Sequence, residues 1–257
     1  MKRSPIHLYD AHAHLGRESE QEERISRGII SLISAGTPKE AAVLDALITA
    51  ASPSLPLFPT YGLHPWHTAE YRVAEMEPYF TKCSVIGEIG MDSVWCSVPL
   101  PLQEQAFKEQ LAIAARLHKP AVLHTKGQEA QIASIIRNFK NTYLIHWYSS
   151  PANLEDYLSQ DCFFSIGPDL WWNPAVQKTA LTVPLDRLLV ETDGMGAVSW
   201  AQEEGARTGH TSPNPCASFS VENTLNSTIN FLAPMRGLPP DELRQILEDN
   251  FFRFYGL

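Results

Sequence analysis

The sequence predicts a single (β/α)8 TIM barrel over residues 1–257, with an abbreviated first helix and extra helices at the C-terminus. Three observations point there. Eight short apolar runs alternate with longer segments of helical spacing, the arithmetic of eight β–α units. Hydrophobic residues make up 44% of the chain, enough for a sizeable core. Histidines and carboxylates close most of the runs, where a barrel of this kind gathers its functional groups. A doubly wound open sheet is the competing architecture.

The first two runs are IHLYDA (6–11) and GIISLIS (28–34); the segment between them, 15–27, is short, so its helix is abbreviated or irregular. A helical pattern over 38–51 leads to LFPTYGL (57–63), and one over 70–81 leads to SVIGEIG (84–90). The strongest helical pattern, 102–119, aligns Leu102, Ala106, Phe107, Gln110, Leu111, Ala114 and Leu117 on one stripe. PAVLHT (120–125), TYLIHW (142–147) and CFFSIG (162–167) follow, separated by helical patterns at 127–139 and 151–159. A pattern at 174–182 precedes RLLVET (187–192). Two more helices, 219–233 and 240–254, end the chain, the latter opening with proline and acidic residues suited to a first turn. The runs are rich in Ile, Leu, Val and aromatics and are bounded by Pro, Gly, Ser or Asn. Several are continuously apolar, as strands of a parallel sheet covered on both faces are.

Charge and cysteine usage narrow the function. A formal net charge of −9 cannot hold a phosphate backbone by a global field. Any phosphate contact must come from a local cluster or from bound cations. The four cysteines, at 83, 96, 162 and 216, lack C-x-x-C spacing, which argues against a zinc knuckle and fits a reducing cytosol. The segment MKRSPIHLYD has no apolar core of a signal peptide, and no run approaches the roughly 20 apolar residues of a membrane span. The expectation is a cytoplasmic protein with no membrane partner.

The polar residues carry the chemistry. His12 and His14 follow the first run, His64 the third, Glu88 and Asp92 close the fourth, His124 the fifth, His146 the sixth and Asp193 the eighth. Each alone has an ordinary reading: a hydrogen-bonded structural histidine, or for Asp193 a helix N-cap. Jointly, in a closed barrel, they converge on one mouth. His12 and His14 are two residues apart on a strand, so they face the same way and can share one cation. Asp10 shares that face but lies earlier, placed to orient a histidine rather than to ligate; capping a neighbouring strand is its alternative role. Glu88 between apolar neighbours is costly unless paired or metal-bound.

These residues resemble the TatD-type metal-dependent deoxyribonucleases of the amidohydrolase superfamily. YDAHAHL is similar to that family's D-x-H-x-H-L, YGLHPWH to its G-x-H-P-H and VIGEIGMD to its GEIGLD. The stretch LQEQAFKEQLAIAARLHKPAVLHTKG, then IHWYSS, then LDRLLVETDG and the closing LRQILEDNFFRFYGL follow the family's order through nearly the whole chain.

The resemblance implies a two-metal centre that hydrolyses a phosphodiester. The implied ligands are His12, His14, Glu88, His124, His146 and Asp193, with Glu88 bridging both ions. His12, His14 and Asp193 complete one site; His124 and His146 complete the other. Asp193 is the implied proton acceptor, and His64 the implied phosphate contact, with an imidazolium there as a donor; His67 either assists it or has a structural role. Two divalent ions are expected: imidazole-rich ligands favour Zn, Mn, Co or Ni over Mg. The expected substrate is single-stranded DNA or a short oligonucleotide, attacked as by a 3'-5' exonuclease, with Lys126 on phosphate and Trp147 or Trp66 stacking on a base.

The chain also departs from the family. Tyr148-Ser149-Ser150 stands where aromatic-Ser-Gly is usual, and Lys126 where arginine is usual. Residues 194–218 read as a long loop over the mouth, with Arg207 and His210, and as a surface for a protein partner. Two other functions compete. One is a superfamily hydrolase of C–N or C–O bonds, disfavoured because Glu88 stands where many of those enzymes place a carboxylated lysine. The other is a metal-binding accessory subunit, disfavoured because all six ligands are present.

Overall fold

In a computed structural model, which describes residues 7–50, 55–211 and 219–256, eight parallel strands run in the order β1 to β8. They are β1 (Tyr9–His14), β2 (Ile30–Ala35), β3 (Leu57–Tyr61), β4 (Val85–Asp92), β5 (Ala121–Lys126), β6 (Tyr143–Ile145), β7 (Phe163–Ile166) and β8 (Leu188–Val190). The ring comes round between β8 and β1, where the Asp193 N–H donates to the His12 carbonyl at 3.0 Å. This is the expected (β/α)8 barrel.

The barrel has a wet end and a dry end. One buried cluster takes Tyr9, Ala11, Leu32, Val85, Val122, Leu144, Phe163 and Leu189 from seven strands and packs them on Phe251, Phe254 and Tyr255 of α10 (Pro240–Tyr255). These strand residues lie toward the strand starts, so the last helix plugs the N-terminal mouth. Truncating such an aromatic, Phe254→Ala for example, costs about 3–5 kcal/mol. The polar groups are left to the opposite mouth.

Most helices lie near their expected ranges: α2 (Pro38–Ala50), α4 (Leu100–Leu117), α5 (Glu129–Ile136), α6 (Leu154–Leu158), α7 (Pro174–Thr182) and α9 (Val221–Met235). Three segments differ from expectation. α1 (Glu18–Arg27) is a regular ten-residue helix, ended by Gly28 in the left-handed region at φ +64. The helix expected over 70–81 is instead a 3-10 turn, Val73–Glu75, and the single turn α3 (Glu77–Phe80). Pro78 has no N–H to continue an earlier helix and is tolerated only in a first turn. The expected loop 194–218 is, from Met195 to Arg207, the helix α8; residues 212–218 lie outside the described residues. Val198, Ala201 and Gly205 form its buried stripe.

Within α4 the stripe also shifts. Leu102 is exposed and Gln103 is buried in its place. Gln103 Oε1 accepts from Asp92 N and its Nε2 donates to Asp92 O, while Gln110 makes the same pair of bonds to Leu63. Two buried amides on one helix thus fix the ends of β3 and β4, which carry His64 and Asp92 to the mouth.

Candidate metal centre

Two irregularities aim the first ligands. β1 gains a residue against β2 between Asp10 and Ala13, and β4 gains one against β5 between Ile86 and Ile89. Such bulges redirect side chains, and they fall at His12 and Glu88. Glu88 therefore lies inside β4, and Asp92 is the residue that ends it. Close strand approach at this point needs glycine: a Cβ on Gly90 would stand 2.0 Å from the His124 carbonyl oxygen.

The structure brings all six expected ligands around the Glu88 carboxylate. Its Oε1 lies 2.7 Å from His124 Nδ1 and 2.7 Å from His146 Nε2. Its Oε2 lies 3.3 Å from His12 Nε2 and 3.3 Å from His14 Nε2. Asp193 Oδ1 lies 3.2 Å from His12 Nε2 and 3.4 Å from His14 Nε2. Glu88 Oε1 thus faces His124 and His146, while Oε2 faces His12 and His14, which Asp193 joins, with His64 slightly farther off at 3.6 Å. Asp193 itself sits in the left-handed region at φ +57, a backbone state that aspartate tolerates better than most residues.

The donor set fits a divalent cation. His12 Nε2, Glu88 Oε2 and Asp193 Oδ1 are buried and make no hydrogen bond. Buried polar atoms left this way are costly unless something else collects them. Imidazole nitrogens with two carboxylates suit Zn²⁺, Mn²⁺, Co²⁺ or Ni²⁺ better than oxygen-seeking Mg²⁺. Charge tells the same story. Burial alone would raise the Glu88 pKa, but the surrounding imidazoles, His146 foremost, hold it well below the usual carboxylate range. Burial and His146 oppose a charge on His12, yet Glu88 and Asp193 carry its pKa up to about 9.

His64 behaves differently from the expected imidazolium. Its Nε2 lies 3.6 Å from Glu88 Oε2, and its Nδ1 accepts from the Trp66 N–H at 3.3 Å. Burial pushes its pKa down to about 4. The ring is therefore neutral at pH 7, with its hydrogen on Nε2, pointing at the centre. It can donate a hydrogen bond without carrying charge.

The carboxylates behind the ligands were less legible. Asp92 Oδ2 lies 3.1 Å from His124 Nε2 and accepts from Trp66 Nε1 at 2.7 Å. Glu191 Oε1 lies 3.6 Å from His146 Nδ1, and its Oε2 accepts from Ser165 at 2.5 Å. Asp10 does not orient a histidine. It accepts from Arg24 Nη1 at 2.6 Å and from the Thr192 N–H and hydroxyl at 2.9 and 2.6 Å. The extra residue in β1 breaks the alternation that would have carried Asp10 to the histidines' side. Its alternative role, holding the end of the neighbouring strand β8, is the observed one.

Around the centre lies a cavity of about 280 Å³, lined in part by His14, His64, His67, Lys126, Trp147 and Asp193. Lys126 Nζ donates to Ser149 Oγ at 2.9 Å and stands 4.7 Å over the Trp95 ring. The missing glycine after His146 has no structural cost, because Trp147 (φ +37) and Asn153 (φ +66), not Ser150, take the left-handed conformations in that loop.

Comparison with known proteins identifies the family. The sequence profile of the TatD related DNase family matches residues 9–256. YcfH of Escherichia coli strain K12, an uncharacterized metal-dependent hydrolase, is 26% identical over 206 residues, spanning 76% of this chain and 72% of its own. A Rahnella protein named 3'-5' ssDNA/RNA exonuclease TatD is 26% identical over 251 residues, spanning 92% of this chain and 90% of its own. Among solved structures, the TatD homolog YJJV of Escherichia coli superposes with a TM-score of 0.77 at 20% identity, covering 97% of this chain and 98% of that one; it shows the shared fold. Motif order, barrel and histidine–carboxylate cluster lead to one conclusion: the chain belongs to the TatD related DNase family, among relatives that are metal-dependent hydrolases.

Proposed function

We propose that the protein is a two-metal phosphodiesterase that removes nucleotides from the 3' end of single-stranded DNA or a short oligonucleotide. The observation that carries this reading is the division of the Glu88 carboxylate, one oxygen toward His12 and His14, the other toward His124 and His146. Glu88 placed this way would hold a cation through each oxygen, with Asp193, His12 and His14 as further ligands on the Oε2 side and His124 and His146 on the Oε1 side. A pair of divalent cations supplies Lewis-acid polarisation of the phosphoryl group and acidifies water at neutral pH.

The chain's own residues divide the remaining work. Asp193, held deprotonated by His12 and His14 against the cost of burial, accepts the proton of the attacking water. The new P–O bond forms as the ester P–O bond breaks, leaving a phosphomonoester and an alkoxide that takes up the proton received by Asp193 and departs as the alcohol. His64 Nε2–H donates to a non-bridging oxygen, where negative charge builds up. His67 lines the same wall, and its N–H donates to the His64 carbonyl at 3.0 Å. Lys126 supplies a point charge to phosphate, and Trp147 a stacking surface.

Relatives support the polarity of attack. Besides the Rahnella exonuclease, a human protein named 3'-5' RNA nuclease TATDN2 is 30% identical over 148 residues, which is 52% of this chain and 19% of its own length. The C–N or C–O hydrolase reading finds no support in the centre. Lys126, which lines the cavity, is engaged by Ser149 and Trp95 rather than standing among the imidazoles. The proposed setting is the cytoplasm; no helix among the described residues is long and apolar enough to cross a membrane.

The test is digestion of a 5'-labelled single-stranded oligonucleotide with added Mn²⁺ or Zn²⁺. The expected product is a ladder shortening from the 3' end, abolished by chelator and by Glu88→Gln. Cleavage of lactones or cyclic amides with DNA left intact would overturn the proposal.

A further inference from the structure

We infer that α8 and the loops after β4 and β6 build a one-base subsite beside the metal centre, an aromatic corner in which Trp95, Trp147 and Trp200, set edge to face, receive the base of the nucleotide being removed. This deepens the phosphodiesterase reading and rests on it. All three indoles line the cavity that holds His64, Glu88 and Asp193. Their rings touch: Trp200 is 5.5 Å from Trp95 and 5.9 Å from Trp147, centroid to centroid. Trp95 is 49% exposed and Trp200 39%. An indole left that open forfeits burial, and several together at a polar mouth mark a surface kept for a ligand.

Trp147 is held in place by its neighbours. Trp147 Nε1 donates to Asp169 Oδ1 at 2.6 Å, and Asp169 Oδ2 in turn accepts from Asn173 Nδ2 at 2.7 Å. Asp169 is 1% exposed. Gly167 lets the ring lie against the backbone, since a Cβ there would stand 2.6 Å from three indole atoms. With its only N–H spent on Asp169, Trp147 offers ring surface and no hydrogen-bond donor. The Trp147 face therefore grips a planar base by stacking and does not read its edge. Lys126, 4.7 Å above Trp95, puts a cation where the wall meets the phosphate position. The cavity volume of about 280 Å³ is near the lower end for small-molecule sites and limits the subsite to roughly one nucleotide.

The experiment is a fluorescence or calorimetric titration of the metal-loaded protein with deoxyadenosine 5'-monophosphate and, separately, with 2-deoxyribose 5-phosphate. The nucleotide is expected to bind about five- to 150-fold more tightly, the span that one stacked base commands. Trp200→Ala and Trp95→Ala, both at exposed positions, are each expected to erase about fivefold or more of that preference while sugar-phosphate binding holds. Equal affinity for the two ligands in the wild type, with DNA still degraded, overturns the subsite and leaves the phosphodiesterase reading intact. A base preference that survives both substitutions overturns the assignment to this wall. Binding of neither ligand, with DNA untouched, removes the phosphodiesterase reading and the subsite with it.

Discussion

The Asp92 carboxylate lies 3.1 Å from His124 Nε2, while Nδ1 of the same ring lies 2.7 Å from Glu88. This pairing fixes which nitrogen is free to ligate. A hydrogen held on Nε2 by Asp92 leaves a lone pair on Nδ1, aimed at the Oε1 side of the centre. Asp92→Asn is expected to weaken cation binding about 10- to 100-fold, the usual cost of losing a carboxylate behind a ligating histidine. Competition against a metal-indicator dye measures it. An unchanged affinity would show that Asp92 acts only on the fold.

Cation binding should depend on pH through His12. Its pKa in the metal-free fold is raised from 6.5 to about 9. The charged ring therefore stabilises the metal-free fold fully below 6.5, and that contribution is lost as pH rises through about 9. A cation must displace this proton, so affinity rises across the same window and levels off above it. Calorimetry in buffers of different ionisation heat should detect proton release near pH 7. Zero release would contradict the picture.

Asp169 makes the opposite contribution to stability. Burial raises its pKa from 3.8 to about 6, against the opposing hydrogen bonds from Asn173 and Trp147. The folded state thus favours the protonated acid, and stability falls as pH rises from 3.8 through about 6. Asp169→Asn keeps an acceptor for Trp147 and removes the charge. The variant should gain up to about 3 kcal/mol over the wild type above pH 7 and little near pH 4. Denaturant unfolding at both pH values checks the difference; a gain that is the same at both excludes an ionic origin.

Gly90→Ala should be among the most damaging small substitutions. The new methyl would meet the His124 carbonyl at 2.0 Å, at a backbone φ of +155. The atoms it would meet are all His124 backbone, with no flexible side chain to give way, so a loss of about 1–3 kcal/mol or more is expected. The same strain would push β5 from β4 and separate His124 from Glu88, so cation affinity should fall with stability. Thermal unfolding within about 1 °C of wild type would contradict this.

The barrel was legible because its strands are continuously apolar and its ligands lie toward their ends: His14 ends β1, His146 follows β6 and His124 lies two residues before the end of β5. What stayed hidden depended on three-dimensional partners. Asp10 read as a histidine's partner because a bulge is not visible in a two-residue period. Buried Gln103 lay off the expected apolar stripe because its value lies in clamping Asp92. Asp169, Glu191 and Arg24 are ordinary charged residues until their neighbours are known. α8 was missed because Gly194, Gly196 and Gly205 lower helix propensity, although Val198, Ala201 and Gly205 carry the helical spacing. Gly205 is there for packing: a Cβ would stand 2.4 Å from the Trp171 ring.

Anomalous diffraction from crystals soaked in Mn²⁺ tests the central claim most directly. Two peaks roughly 3.5–4 Å apart are expected, one on each oxygen of Glu88, with His12, His14 and Asp193 around the first and His124 and His146 around the second. A single peak, or peaks away from Glu88, would contradict the account.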